Sequence, residues 1–103
     1  MSNIEKQLNI EQHFAKVKNK LNSLLKYNLH TNIINELICL CDTYNSLSVN
    51  ELQQSEQVIA KSYNIVKTYT DFQIEIKIKL LTQIKILKKL INSLIETVII
   101  NSL

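Results

Sequence analysis

Not one of the 103 residues is a glycine or a proline. Tight hairpin turns need residues that accept positive φ or come with φ pre-set, and sheet proteins rely on these two types to supply them. A chain with neither is suited to long elements joined by a few permissive turns, which points to helices. The same absence rules out any glycine-rich phosphate loop. Hydrophobic residues at 46% give enough apolar material for a core and too much for a disordered segment. The length fits one domain. We therefore expect an all-α fold, a small bundle of three or four helices in a single domain over residues 1–103, ending in a long amphipathic helix.

Apolar spacing places the elements. Ile10, Phe14, Val17, Leu21 and Leu24 recur at intervals of four and three, a coiled-coil-like seam in a helix over about 3–27. Ile4 and Leu8 extend it with a shift of register. Asn28, His30 and Thr31 mark a turn, with Thr31 or Asn32 as the next cap. A second helix, about 32–45, sets Ile33, Ile34, Leu37, Ile38, Cys41 and Tyr44 on one side. The polar run from Asp42 to Ser48 ends it. Ser48 and Glu51 then form a capping box, with Leu47 and Leu52 placed for a hydrophobic staple. The third helix, about 49–69, carries Leu52, Ile59, Tyr63 and Val66, flanked by Val58, Ile65 and Tyr69. Its polar run Gln53 to Gln57 predicts a face open to water.

Thr70 to Gln73 has the residue types of a second capping box. The stretch 66–74 is compatible with a turn or with a kink in one helix, and we expect a turn. Beyond it, Phe72, Ile74, Ile76, Ile78 and Leu80 alternate with polar residues, which by itself is a strand pattern. No other segment alternates in this way to pair with it. The helical period carries on instead through Ile76, Leu80, Ile84, Leu87, Leu90, Ile91, Leu94 and Val98. The predicted helix, 71–101, is about 45 Å long. Ile78, Ile86 and Ile100 fall well off its stripe. A helix apolar that far round, and longer than the helices available to cover it, has a second surface to bury.

Formal net charge is +3, distributed as basic, acidic, basic. Residues 28–60 hold Glu36, Asp42, Glu51 and Glu56 and no lysine, while lysines dominate both flanks. Isoleucine, leucine, lysine and asparagine make up more than half of the chain and arginine is absent. An AT-rich coding sequence produces that bias by codon supply, so abundant lysine is not by itself a functional signature. Lys77, Lys79, Lys85, Lys88 and Lys89 form the densest basic patch. Without arginine they cannot read guanine bidentately, although phosphate contact stays open to them.

Catalytic, metal and cofactor residues are not expected. Cys39 and Cys41 stand about 200° apart on a helix and make no zinc spacing with His13 or His30. We read both as core thiols. Neither histidine is set beside a carboxylate for general-base work, and the Glu-x-x-His pattern of di-metal bundles is missing. Tyr27, Tyr44, Tyr63 and Tyr69, with Phe14 and Phe72, read as boundary or core aromatics near helix ends. Only Tyr63, Lys67 and Tyr69 approach a base-stacking arrangement. No apolar run matches a signal h-region or a membrane span, and two cysteines make no disulfide framework, so a cytoplasmic location is expected.

The expected function is a non-enzymatic helical interaction protein, an adaptor or small complex subunit. It would bind another protein by helix packing, in a hetero- or homo-oligomer. The contact residues would be Ile78, Ile86, Ile100, Lys77, Lys79, Lys85, Lys88 and Lys89. The alternatives are a nucleic-acid-associated regulator using the same lysines, or a membrane-surface protein, for which an interfacial tryptophan is lacking.

Overall fold

The computed structural model describes residues 3–70 and 73–102, with side chains from 9 to 70 and 73 to 101. Regular structure among them is helical throughout: α1 (Asn3–Leu24), α2 (Thr31–Thr43), α3 (Val49–Thr68) and α4 (Ile74–Ser102). Short 3-10 turns, Leu25–Tyr27 and Tyr44–Ser46, continue α1 and α2. The all-α fold with a long C-terminal helix is as expected. The expected roles of Ile4, Leu8, Asp71 and Phe72 concern side chains outside the described set.

Each turn solves the missing-glycine problem differently. Between α1 and α2, Asn28 (φ 57°) and His30 (φ 52°) both adopt the left-handed conformation. Asparagine and histidine are among the few residues other than glycine that enter it readily. Asn28 N–H donates to Leu25 O at 3.1 Å, and His30 O accepts from Ile34 N–H at 2.9 Å. The N-cap of α2 is thus His30, not Thr31 or Asn32, because the two left-handed residues complete the reversal before Thr31. His30 also packs its ring edge-on against Tyr69, with centroids 4.7 Å apart. This ties the first turn to the end of α3.

The second turn uses the predicted capping box. Ser48 Oγ accepts from Glu51 N–H at 3.2 Å, and Ser48 N–H donates to Glu51 Oε1 at 3.1 Å. Hydrogen bonding to the carboxylate by the Ser48 backbone N–H, and secondarily by its hydroxyl, holds the Glu51 carboxyl below its ordinary range. At the third turn Tyr69 is extended (φ −69°, ψ 122°), so α3 stops and α4 is not its kinked continuation. The first helical residue is Ile74, and Lys77 N–H donates to Gln73 O at 3.2 Å. That places the helix start later than a Thr70 cap requires.

The core forms along α4. Leu80, Ile84, Leu87, Ile91 and Ile95 are buried, and Ile76, Leu90 and Leu94 are half-buried against them. Ile95 was not anticipated, because the sequence stripe ran through Leu94 and Val98 beside it. Phe14, Val17, Leu21 and Leu24 of α1 and Leu52, Ile59 and Val66 of α3 complete the seal. Phe14 stacks on Tyr44 with centroids 3.8 Å apart and planes 7° from parallel, which locks α2 onto α1. Neighbouring helices are antiparallel, and packing runs α2 to α1 to α4 to α3, with little contact between α2 and α3. At about 1.5 Å per residue α4 is about 43 Å long, close to the 48 Å long axis of the molecule.

Among the described residues one core group is unsatisfied. Gln83 is 5% exposed, and its Oε1 has no hydrogen-bond partner. Such a group costs about 1–3 kcal/mol. Replacing it with methionine, Gln83→Met, should raise the denaturation midpoint, corresponding to about 1 kcal/mol. Leu87→Ala, at a fully buried position, should lower stability by about 2–5 kcal/mol. Ile78→Ala should stay within about 0.5 kcal/mol of the parent, because Ile78 is exposed. Urea titrations of the three variants check these values.

Candidate protein-binding surface

The turn of α4 that buries Leu80 to Ile95 sends other positions outward. At about 100° per residue, positions 78, 85, 89, 96 and 100 fall within about 60° of one another on the far side. Ile78 and Ile100 are 56% and 67% exposed there, with Lys85, Lys89 and Glu96 between them. Ile74, one turn before Ile78, is 63% exposed. The outer face is therefore apolar at its two ends and charged in the middle.

The eight residues singled out in the sequence do not stay together. Ile78, Ile100, Lys85 and Lys89 share this face. Ile86 is half-buried and packs against the core. It lies some 80° round from Ile78, on the flank facing α1. Lys77 turns back to donate to Tyr69 O at 2.9 Å, which clamps the α3–α4 turn. Lys79, with Ile78 beside it, lines a groove of about 400 Å³ between α1 and α4, opposite Lys20 and Ser23. Lys88 lines a different hollow with Tyr63 and Asn64 of α3, and Lys85 reaches into the same hollow from the outer face.

Tyr63 is already engaged by the protein's own cations. Lys67 Nζ and Lys85 Nζ lie 5.9 Å and 5.7 Å from its ring centroid. Ring and ammonium groups attract at such distances, so this tyrosine is poorly placed to stack a base. Tyr69 is bound up with His30, as described above. Tyr27, 37% exposed, lies with Ile74 and Lys79 around a hollow at the start of α4. Lys26 sits 5.1 Å from the Tyr27 ring centroid. This end of the bundle thus combines apolar side chains with Lys26, Lys79 and Glu75.

The acidic counterpart lies across the molecule. Glu36 of α2 and Glu51 of α3 line a groove of about 290 Å³ between those helices, floored by Leu37, Leu40, Leu47 and Val58. Asp42 is paired outside it with Lys18 at 2.6 Å, an exposed bridge worth about 0–1 kcal/mol. The groove was not foreseen, because it arises from the weak α2–α3 contact and has no local sequence signal. Ile74 and Ile99 were also missed as exposed apolar positions. Ile74 had a signal, one helical turn before Ile78, which its place in the alternating run obscured.

The cysteines divide. Cys39 is exposed at this groove, and Cys41 is buried. Only Cys41 is thus the core thiol expected of both. Burial, and secondarily Asp42, push the Cys41 thiol up to about 12, with Lys18 opposing. His13 is exposed on α1, and His30 is the N-cap of α2. Among the described residues no three His, Cys, Asp or Glu side chains group to hold a metal ion. No helix among them is long and apolar enough to cross a membrane. Comparison with protein-family models, curated proteins and solved structures finds no match to this chain.

The two thiols should differ in reactivity. Iodoacetamide at pH 8 should alkylate Cys39 alone in the folded protein and both cysteines in denaturant, as read by peptide mass spectrometry. Because the folded Cys41 value lies above the ordinary one near 9, its contribution to stability is complete below about pH 9. It is lost as pH rises toward 12. Thermal stability should accordingly fall over that interval, and less steeply in Cys41→Ala.

Proposed function

We propose that the protein is a non-enzymatic helical interaction subunit that binds a partner protein through the outer face of α4. The observation that carries this is the double character of that helix. Its inner stripe is sealed by α1 and α3, while Ile74, Ile78 and Ile100 stand mostly in water on the far side. A partner helix laid along this face would bury the isoleucines, and Lys85 and Lys89 would favour a partner with carboxylates opposite them. The contact residues are Ile74, Ile78, Lys85, Lys89 and Ile100, with Lys79 and Tyr27 at one end.

Two features speak against nucleic acid as the target. Glu75 and Glu96 interrupt the basic character of α4, and the aromatic best placed for stacking holds two lysines already. A membrane surface fits less well than protein, because the apolar residues of the outer face are separated by charged ones and the chain has no tryptophan.

Co-purification with the tagged full chain, for the parent and for Ile78→Asp, tests this function. The parent should retain a protein that the variant loses, with the circular dichroism spectrum unchanged. Retention should survive raised salt, whereas phosphate binding falls steeply with it. An unchanged set of co-purifying proteins, or a salt-sensitive nucleic acid in their place, would contradict the assignment.

A further inference from the structure

We infer that the outer face of α4 docks into the α2–α3 groove of a second copy of this chain. The inference rests on the proposed role of that face and names its partner. The groove exists because α2 and α3 make little contact along their seam. Its floor is aliphatic and its rim carries Glu36 and Glu51. No lysine lines it. Two hydroxyls in its wall are turned to their own backbone: Thr43 donates to Cys39 O and Ser55 to Glu51 O, each at 2.9 Å. What the groove presents is an apolar floor between carboxylates.

The matching shape is on the same molecule. Ile74 and Ile78 stand one turn apart, about 6 Å, as an exposed aliphatic pair. Lys79 lies to one side of them beyond Glu75, and Lys85 about two turns further along the face, so these lysines would meet the glutamate rim while the isoleucines enter the floor. Within one copy the two surfaces cannot meet. The α4 helix packs between α1 and α3, and its outer face points away from the α2–α3 seam. A modest net charge of +3 leaves little overall repulsion between copies. Each copy offers one face and one groove, so the contact is head-to-tail and builds a ring or a filament rather than a two-fold dimer.

Cys39 provides the test, since it is the exposed thiol and sits at the groove. A maleimide-linked benzophenone is placed on Cys39 of the purified full chain, mixed with an isotope-labelled copy, and irradiated. Sedimentation velocity is run in parallel over a range of concentrations. The expected result is a mass that rises with concentration, and cross-links from Cys39 of one copy to residues 74–89 of the other. Ile78→Asp should cut the cross-link yield about tenfold, and Glu36→Lys should weaken association by a similar factor. Adding Lys85→Glu to Glu36→Lys should restore part of it. All these positions are exposed, and unchanged circular dichroism shows that the variants fold. A single monomer mass at every concentration, or cross-links between copies that miss α4, would overturn the inference. If the chain is monomeric while Ile78→Asp still loses a co-purifying protein, the second copy is wrong and the binding role of α4 stands. If neither is seen, both fail.

Discussion

The structure depends on one act of burial: the stripe Leu80, Ile84, Leu87, Ile91 and Ile95 closed between α1 and α3. An average fully buried aliphatic side chain contributes about 1.5–3 kcal/mol. Five on one helix are comparable to the whole net stability of a small domain. The other helices are arranged by what this stripe needs. α1 and α3 flank it, and α2 is attached to α1 through the Phe14–Tyr44 stack and the buried residues Ile34, Leu37 and Cys41. The weak α2–α3 seam follows, since neither helix needs the other to bury its own apolar line.

The turns show how far a chain can go without glycine. Asparagine and histidine take the left-handed positions, a serine–glutamate box starts α3, and one extended tyrosine ends it. Each device is local and weak, and each needs a neighbour. His30 is held by Tyr69, and the α3–α4 turn is held by Lys77. The turns are therefore consequences of helix packing as much as causes of it.

These facts explain what was legible in advance. The seam of α1, the Ser48 box and most of the α4 stripe depend on residues within a turn or two of each other, and periodicity exposes such relations. The strand-like run 72–80 was settled by the lack of any pairing partner. Ile86 could not be placed, because a flank position is buried or exposed according to which side α1 approaches. The same applies to Lys77 and Lys88, whose neighbours are Tyr69 at the α3–α4 turn and Tyr63 and Asn64 of α3. The α2–α3 groove is wholly tertiary and has no trace in the local pattern. Ile95 was missed for a smaller reason: both 94 and 95 fit the period within its drift.

A helix sealed on one side and apolar at both ends of the other is the spine of the fold and, on the proposed reading, also its docking surface. The first role has the more direct test, native-state amide hydrogen exchange. If α4 is the element on which the rest is assembled, the amides of residues 80–95 should exchange only through global unfolding. Their opening free energy should then equal the stability measured by denaturant. Exchange of those amides through a much smaller local opening, while α1 or α2 remains protected, would contradict the account.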